Sequence, residues 1–514
     1  MSERVIVIGA GINGLVAANY LRRAGLAVTM IERSDRVGGA CVSEVATVHG
    51  HTQRYALGAS VLGLMQEFVF RETGLAGRLQ TYVPDQPKRV YFPDGSRSAW
   101  IYRNPARLQR ELADKWGERG DVAGFRADEA RVVAYLQDGY RRAVPPSLAE
   151  AELALGAELV RLWIAGSAAD LLEHYFTAEH TKIYMGMTVT ESGPVSLHEP
   201  YSAFTLPLMD SGSVFDGYYG FVRDGIWRVT EELAVLNREL GVELYLDSTV
   251  TAIDAEAGAL EYDQRGSRGA ARFDHLVLAT DPLSAARLVD VDALVREIEQ
   301  KRFLGTSGKV TLFFREPVRW FDEPATTAAG GDAAFRFIFA VDSVADFEAA
   351  TLRVSNGEGQ ADYEPGYIQI YCEGAAMRQL GLVEPFDRLT LFFKNMALSQ
   401  RGSALPDVEA AVKAQVLAHV ANPEACVWSR LLSPKDLQQL FLFPGGNLDH
   451  TMLVGGQTFH DRQFSADPDQ RFYAFGGLPN VSYCGAGAYP CGSIAGTPGY
   501  MCAQELIRAC RPPG

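Results

Sequence analysis

The sequence predicts an α/β fold, in which a parallel sheet is covered by helices and interrupted by long insertions. Three observations support this prediction. An apolar strand at residues 5–8 runs directly into a glycine-rich turn and a helix-like segment. A second apolar strand follows at residues 27–31, and a buried run at residues 273–281 indicates a return to the same sheet. A chain of 514 residues is also too long for one hydrophobic core, so two or three domains are expected.

The turn after the first strand has the spacing GxGxxG, with Gly9, Gly11 and Gly14. In a βαβ unit the first glycine makes the tight turn, the second lets backbone approach a pyrophosphate, and the third lets the helix pack on the strand. The phosphates then lie at the helix N-terminus, where free N–H groups favour negative charge. Glu32 ends the second strand, where a carboxylate accepts hydrogen bonds from a ribose. The pattern predicts a Rossmann-like dinucleotide site.

Composition narrows the class of protein. The chain has 48 Lys and Arg against 63 Asp and Glu, and this net charge of −15 argues against nucleic acid and anionic lipid as partners. Its 47% hydrophobic and 22% charged residues are typical of a soluble globular protein. No apolar run is long enough to cross a membrane, and the immediate start of the first strand predicts no cleaved leader.

Cysteine and histidine usage argues against a disulfide framework and a metal site. The seven cysteines are scattered and include no CxxC pair, which favours a reducing cytoplasm over a disulfide framework. The nine histidines form no HxxxH or HExxH pattern. No metal site is therefore expected.

The residues after the second strand resemble a known family. Glu32 and Arg33 are followed by Gly38 and Gly39, in the pattern ERxxxxGG. With GxGxxG, this resembles the start of the FAD-dependent amine oxidase and phytoene desaturase superfamily. The resemblance implies a glutathione-reductase-type FAD domain in which Glu32 binds the adenosine ribose, while Arg33 and the paired glycines lie along the diphosphate and near the flavin. Residues 58–60 are implied to pass the flavin again.

A second part of the resemblance lies at residues 220–281. The order of elements here is similar to that of the family's second FAD segment. It is a glycine turn with a helix, then residues 242–250, then the buried run at residues 273–281. In that segment the residue matching Val250 hydrogen-bonds the adenine through its backbone. Phytoene desaturases usually have a double glycine where this chain has Asp224-Gly225, so no flavin contact is assigned to that turn.

The closing motif is a strand, a glycine-rich turn and a helix over residues 480–509. Such a helix N-terminus can face the flavin N1–C2=O edge, where negative charge collects on reduction. The stretch resembles the closing FAD motif of the phytoene dehydrogenase-related branch, except that the family's His-Pro-Gly-Gly is Tyr489-Pro490-Cys491-Gly492 here. Tyr489 is predicted beside the isoalloxazine. Cys491 offers a covalent flavin link, but the favoured interpretation is a small buried residue beside non-covalently bound FAD.

Motif and resemblance together give a set of candidate site residues. Those expected to bind FAD are Gly9, Gly11, Ile12, Asn13, Gly14, Glu32, Arg33, Gly38, Gly39, Ala40, Val250, Gly485, Ala486, Gly492, Ser493 and Ile494. The candidate catalytic residues are Tyr489 and His450, with His460 and Asp449 as further candidates for a base. Packing or surface exposure is the favoured interpretation of each histidine.

Shifts in composition predict the domain organisation. The expected order is a first FAD segment at 1–85, a mainly helical substrate-domain insertion at 86–215, a second FAD segment at 216–292, an antiparallel substrate-domain sheet at 293–435 and a third FAD segment at 436–514. Within the helical insertion, Ser147 and Glu150 predict a capping box at a helix start.

The predicted function is that of an FAD-dependent oxidoreductase, a dehydrogenase or desaturase that removes hydride from a C–H bond of a hydrophobic or biosynthetic small molecule. Oxygen or another acceptor would reoxidise the flavin. A single dinucleotide fingerprint disfavours a nicotinamide-driven enzyme. Two alternatives stay open: an amine or amino-acid oxidase that releases hydrogen peroxide, and a non-enzymatic FAD-binding module. A carrier-bound substrate and a homo-oligomer also stay open.

Overall fold

The computed structural model describes residues 2–85, 88–322, 333–355, 366–398, 405–465 and 471–510. It has the α/β architecture that the sequence predicts, with a largely parallel six-stranded sheet and a separate seven-stranded sheet.

The strands are β1 (Arg4–Ile8), β2 (Ala27–Ile31), β3 (Ser43–Val48), β4 (His51–Ala56), β5 (Thr81–Tyr82), β6 (Lys88–Tyr91), β7 (Ala99–Ile101), β8 (Phe221–Val222), β9 (Glu243–Tyr245), β10 (Ser248–Asp254), β11 (Ala259–Gln264), β12 (Ser267–Arg272), β13 (His275–Leu278), β14 (Gly308–Phe314), β15 (Phe335–Phe339), β16 (Tyr367–Tyr371), β17 (Asp387–Phe393), β18 (Cys426–Leu432), β19 (Ala474–Phe475) and β20 (Leu478–Tyr483). The helices are α1 (Ile12–Arg23), α2 (Glu67–Glu72), α3 (Pro105–Trp116), α4 (Val122–Arg142), α5 (Leu148–Leu155), α6 (Ala157–Leu159), α7 (Ala168–Tyr175), α8 (Glu179–Gly186), α9 (Thr205–Met209), α10 (Trp227–Glu239), α11 (Pro282–Leu288), α12 (Asp292–Glu299), α13 (Val344–Ser355), α14 (Glu373–Gln379), α15 (Leu405–Leu417), α16 (Pro434–Phe441) and α17 (Thr497–Cys510).

The six-stranded sheet has the order β19-β20-β13-β1-β2-β9. Its pairings are parallel except for that of β19 with β20. All of β1 after its first residue is buried, which explains why this strand is a continuous apolar run without the alternation of a half-exposed strand. The strands predicted at residues 27–31 and within residues 273–281 both belong to this sheet.

Helices α1 and α17 pack closely against each other beside this sheet. A Cβ at Gly499 would lie 2.1 Å from the carbonyl oxygen of Asn13, so the approach of the two backbones requires glycine there. The rings of Tyr20 and Tyr500 then meet edge to face at 4.8 Å between centroids. The last helix is thereby held against the first glycine turn, although the two are far apart in the chain.

The seven-stranded sheet has the order β18-β14-β17-β16-β15-β6-β7, and its pairings are antiparallel except for that of β15 with β6. Every residue of β14, β15 and β17 is buried. Strands β6 and β7 precede helices α3 to α9 in the chain, so this sheet combines two separate parts of the sequence. The domain boundaries expected from composition stay a prediction.

The prediction of a capping box at Ser147 is wrong. Helix α5 does begin after Ser147, but the Ser147 side chain makes no capping hydrogen bond. The helix is held instead by burial of Ala151 and Leu155. A capping box does form at α16, where Ser433 and Asp436 bond each other's backbone N–H groups.

Within the described residues, every helix is too short or too polar to cross a membrane.

Candidate active site

A cavity of about 470 Å³ lies at the carboxyl ends of β1, β2 and β13, and we call it the sheet cavity. Parallel α/β sheets place their ligand sites at this edge. Its lining joins the glycine turn after β1 to the distant turn before α17, since Gly11 and Ser493 both face it. Fourteen of the expected FAD-binding residues line this cavity: Gly9, Gly11, Ile12, Asn13, Glu32, Arg33, Gly38, Gly39, Ala40, Val250, Ala486, Gly492, Ser493 and Ile494.

The other two expected residues, Gly14 and Gly485, lie behind the cavity wall. A Cβ at Gly14 would lie 2.1 Å from the carbonyl oxygen of Gly9, and a Cβ at Gly485 would lie 2.1 Å from that of Thr280. Both glycines therefore allow backbone segments to pack against one another and do not line the cavity themselves.

The start of α1 is open to a ligand. Gly11 occupies the N-cap and supplies no side-chain hydrogen bond to the first N–H groups of the helix. A Cβ at Gly11 would have only the Cα of Gly39, at 3.9 Å, within 4 Å. The Oδ1 atom of Asn13 is buried and has no hydrogen-bond partner in the described part of the chain. A bound diphosphate and its sugar fit these features. They are the free N–H groups at the start of α1, the open space beside Gly11 and the unpaired Oδ1 acceptor of Asn13.

Glu32 is fixed at the end of β2 by two backbone donors. Its Oε2 atom accepts from the N–H of Ala10 at 2.7 Å, and its Oε1 atom accepts from that of Ser34 at 2.9 Å. Each carboxylate oxygen keeps a second lone pair, and the side chain lines the sheet cavity. This arrangement fits a ribose hydroxyl. The donor set as a whole thus fits a dinucleotide such as FAD.

A second cavity of about 200 Å³ adjoins the first, and we call it the aromatic cavity. The two cavities share a common boundary, here called the junction, formed by Ala40, Phe443, Leu448, Ser493 and Ile494. The apolar lining of the aromatic cavity includes Met187, Met209, Phe335, Phe337 and Phe392. Its polar groups are Ser60, Lys88, Thr188, Glu191, Asp210, Tyr219, Gln369 and Tyr371.

Residues 58–60, which the resemblance implied to pass the flavin, lie at this second cavity. Gly58, Ala59 and Ser60 all line it, and the N–H of Ala59 donates to the carbonyl oxygen of Ala40 at 2.9 Å. The hydroxyl of Ser60 is buried without a hydrogen-bond partner among the described residues. The segment therefore adjoins the junction and leaves one polar atom for a ligand.

Glu191 is the centre of a hydrogen-bonded network in the aromatic cavity. Its carboxylate accepts from the Tyr367 hydroxyl at 3.2 Å, from Lys394 Nζ at 3.0 Å and from the Gln369 amide. The Tyr371 hydroxyl donates in turn to Gln369 Oε1 at 2.8 Å. Burial raises the pKa of Tyr367 and of Tyr371 well above its usual value, so both phenols stay protonated and act as donors.

A second charged group lies around Lys88 and Asp210. Burial lowers the pKa of Lys88, but Tyr184 and Asp210 outweigh that effect, so its pKa is raised and the ammonium stays charged. Arg126 lies 3.5 Å from the Asp210 carboxylate and also donates to Glu129. Burial raises the pKa of Glu129 to about 7. The aromatic cavity thus presents charges of both signs to its contents.

Lys309 is a residue that the sequence interpretation missed. It lies on β14, next to the edge strand β18 of the seven-stranded sheet, and its ammonium donates to the carbonyl oxygens of Ala56 at 2.6 Å and Gly58 at 2.7 Å. Burial lowers its pKa to about 7. The signal was a single lysine in a mainly apolar strand, which is unusual because an ammonium is rarely buried without a specific partner.

The candidate catalytic residues are placed unequally. Tyr489 lines neither cavity, since its ring packs among those of Tyr140, Phe459 and Phe472 at centroid distances of 5.8, 6.4 and 6.1 Å. His450 lines the sheet cavity, and burial lowers its pKa to about 3. It is therefore a neutral side chain at physiological pH and a weak base.

The two remaining candidates for a base lie outside both cavities. His460 is half-buried, with its Nε2 atom 3.4 Å from the carboxylate of Asp461. Asp449 is buried and accepts from the N–H of Gly492 at 3.0 Å, so its role is to hold the turn before α17. Cys491 is also buried and lines neither cavity.

Comparison with known proteins identifies the family of this chain. The family described as flavin containing amine oxidoreductase matches residues 12–360. An uncharacterized protein of Mycobacterium tuberculosis is 25% identical over 98% of this chain and 96% of its own length. A phytoene desaturase of Fusarium fujikuroi is 25% identical over 50% of this chain and 45% of its own length.

Among solved structures, the cyclohexylamine oxidase of Brevibacterium oxydans superposes with a TM-score of 0.60 at 15% identity, over 99% of this chain and 98% of its own. At this identity the likeness concerns the fold alone. The resemblance to phytoene desaturase-like flavoproteins is confirmed by the family match and the fungal relative. Because the family match spans more than half of the sequence, the chain belongs to the flavin containing amine oxidoreductase family and is an FAD-dependent oxidoreductase.

Proposed function

We propose that this protein removes hydride from a C–H bond of a small substrate that carries a charged or strongly polar group. The observation that carries the proposal is the junction, the set of residues that line both the aromatic cavity and the sheet cavity. FAD bound in the sheet cavity would supply the hydride acceptor and pass the electrons to oxygen or another acceptor. The protein's part is to bind the substrate, orient it and exclude water.

The junction favours orientation over proton transfer as the source of catalysis. Of the described residues common to both cavities, Ala40, Phe443, Leu448, Ser493 and Ile494, none has a side chain that titrates near neutral pH. A C–H bond held there would face mostly apolar groups and little water. Tyr489 and His450 stay predictions as catalytic residues, and neither contributes to the junction.

The charged groups of the aromatic cavity define the other end of the substrate. Lys88, Glu191 and Asp210 all line the cavity. An uncharged hydrocarbon in contact with these charged groups would displace their water and offer no hydrogen bond or ion pair in its place, which costs free energy. A volume of about 200 Å³ is also below the range of roughly 300–1,000 Å³ that is common for ligand pockets. These features support a short polar substrate over a long polyene.

Amine oxidation is the second candidate function. It is favoured by the two carboxylates, Glu191 and Asp210, that line the cavity and could pair with an ammonium group. Lys88 favours an anionic substrate group instead, so the charge of the substrate decides between the two. An amine oxidase would release hydrogen peroxide in air. The non-enzymatic module has no specific observation in its favour.

The test is reduction of the bound FAD under anaerobic conditions, followed by loss of its absorbance. The panel should contain amines and diamines, short hydroxy and carboxylic acids, and linear polyenes. Bleaching by a charged compound, with a rate constant lowered at least tenfold in Lys88→Met or Glu191→Gln, would support the proposal. Lys435→Met serves as the matched control because Lys435 is exposed on α16. Bleaching by polyenes alone would contradict the proposal.

We also propose that FAD is bound without a covalent link. Cys491, the residue considered for a link, is buried outside the sheet cavity, and burial raises the pKa of its thiol. A protonated thiol is a poor nucleophile. Acid precipitation should release all the yellow colour into the supernatant, and colour in the pellet that Cys491→Ser abolishes would contradict this. Cytoplasmic location, carrier-bound substrate and oligomeric state stay predictions.

A further inference from the structure

Three side chains from distant parts of the chain meet at the amino-terminal edge of the six-stranded sheet. Glu3 directly precedes β1, His275 begins β13 and Cys510 ends α17. This edge is opposite to the sheet cavity, which adjoins the carboxyl ends of the same strands. The cluster is therefore separate from the flavin site and from the aromatic cavity.

The three side chains converge on one point. His275 Nε2 lies 3.1 Å from Glu3 Oε2 and 3.4 Å from Cys510 Sγ. One ligand atom from each residue lies within 4.8 Å of the other two. Around a tetrahedral ion with bond lengths of about 2.0–2.3 Å, neighbouring ligand atoms are roughly 3.3–3.7 Å apart. The observed separations are close to those of such a ligand set.

The same geometry excludes a cysteine–histidine–glutamate catalytic relay. In a relay the nucleophile contacts one ring nitrogen and the carboxylate contacts the other. Here Cys510 and Glu3 both contact Nε2 of His275. The Nδ1 atom is buried and has no hydrogen-bond partner within the described ranges. Convergence of both neighbours on a single nitrogen fits a shared cation.

We propose that Glu3, His275 and Cys510 bind one Zn²⁺ ion, with a water molecule as the fourth ligand. Thiolate, imidazole and carboxylate together are a donor set that suits Zn²⁺. Glu3 is exposed and the other two are partly exposed, so the ion and its water have access from solvent. Binding would convert the Cys510 thiol to a thiolate and release its proton to solvent.

Charge balance agrees with a divalent ion. A coordinating metal ion would deprotonate the Cys510 thiol. A carboxylate and a thiolate would then neutralise the two positive charges of the ion.

The proposed ion would link the start of β1, the start of β13 and the end of α17, the helix that packs beside the six-stranded sheet. These elements come from all three parts of the chain that build the FAD-binding half of the fold. The ion would stabilise the assembled sheet and would take no part in flavin chemistry. Its presence would therefore be measured by metal content and stability, independently of any substrate.

The experiment uses the full-length FAD-loaded protein, treated with a chelator and dialysed. ZnCl2 is then added, and bound zinc is measured by equilibrium dialysis with elemental analysis, together with Tm. We expect one Zn²⁺ per chain and a higher Tm. Loss of a residue that only hydrogen-bonds a metal ligand weakens metal affinity by about 10–100-fold. Loss of a ligand itself should have a larger effect, so we expect Cys510→Ser and His275→Gln to weaken zinc affinity by at least about 100-fold. Cys426→Ser, at a partly exposed cysteine elsewhere, is the matched control.

Glu3→Gln provides a variant whose folding is not at risk, because Glu3 is exposed. We expect it to weaken zinc binding at least tenfold while FAD content and flavin absorbance stay as in the unmodified protein. Absence of stoichiometric zinc would overturn the proposal and show a hydrogen-bonded triad only. Equal zinc binding by the Cys510→Ser and Cys426→Ser variants would overturn it as well. Neither result would bear on the proposed oxidoreductase activity.

Discussion

The buried side chain of Lys309, which binds the wall of the aromatic cavity, allows a quantitative prediction of how the stability of the protein depends on pH. Its ammonium is buried and bonds the carbonyl oxygens of Ala56 and Gly58, and Gly58 lines the cavity. Burial lowers its pKa from 10.5 to about 7. Between these two values the unfolded chain binds one more proton than the folded chain, so the contribution of Lys309 to stability improves as pH rises.

The size of this effect follows from the proton difference. One proton corresponds to about 1.4 kcal/mol per pH unit, and a group half-titrated at pH 7 contributes roughly 2 kcal/mol between pH 7 and pH 9. At about 2 cal/mol/K per residue, the unfolding entropy of a chain of this length is about 1 kcal/mol/K, so Tm should change by roughly 2 °C. Differential scanning calorimetry of FAD-saturated protein at pH 7, 8 and 9 measures it.

The decisive comparison is between the unmodified protein and Lys309→Met. Relative to the variant, Tm of the unmodified protein should rise by roughly 2 °C over this range. Lys435→Met removes an exposed lysine by the same substitution and should follow the unmodified protein at each pH. Parallel curves for the unmodified protein and Lys309→Met would refute the reasoning, because Lys309 would then bind the same number of protons in the folded and unfolded chains between pH 7 and pH 9.

Three further predictions concern the glycine turn, the candidate base and the charged end of the aromatic cavity. Gly11→Ala adds a methyl group with no neighbour closer than 3.9 Å, so the FAD-free protein should keep its Tm while the Kd for FAD, measured by fluorescence titration, rises at least about tenfold. Gly14→Ala would place its Cβ 2.1 Å from the Gly9 carbonyl oxygen, and it should lower Tm by several degrees even without FAD. His450→Gln should leave the pH profile of kcat unchanged between pH 5 and pH 8, since burial keeps the pKa of His450 at about 3; loss of a limb from that profile would assign His450 as a base. Burial raises the pKa of Glu129 to about 7, so its contribution to stability is present below pH 4.5 and lost as pH rises to 7; Tm relative to Glu129→Gln should fall across that range, and a constant difference would contradict the assignment.

The position of most candidate FAD-binding residues around one cavity could be predicted from sequence because their geometry is local. Gly9, Gly11 and Glu32 lie within one βαβ unit, and the spacing of that unit fixes where each residue lies relative to the strand ends. The turn before α17 could be assigned for the same reason. Local spacing did not predict which glycines line the cavity and which only permit packing, because that depends on contacts such as Gly485 with Thr280.

The aromatic cavity could not be predicted in this way. Lys88, Glu191 and Tyr371 come from three separate parts of the chain, and none belongs to a recognisable motif. Tyr489 shows a second limit: it lies close in sequence to Gly492 and Ser493, which line the sheet cavity, yet its own ring packs into the core. Side-chain direction at an irregular turn depends on tertiary packing, and sequence position alone does not determine it.

The same limit applies to Glu3, His275 and Cys510. Metal-site patterns in sequence rely on ligands a few residues apart, as in CxxC or HxxxH. Here more than 200 residues separate each ligand from the next. Parallel strands and a terminal helix bring them together only after the sheet has formed. Absence of a motif therefore gave no information about this edge of the fold.

The arrangement of charge along the two cavities suggests how one substrate bond is selected. The described lining of the junction is apolar apart from the Ser493 hydroxyl, whereas Lys88 and Asp210 lie in the aromatic cavity beyond it. A charged substrate group is costly to place at the junction and favourable to place near an opposite charge. The substrate would therefore enter with its charged end away from the flavin and present a C–H bond to the junction. Selectivity would then depend on the distance between that charged group and the reacting carbon, which a series of substrates of increasing chain length would measure directly.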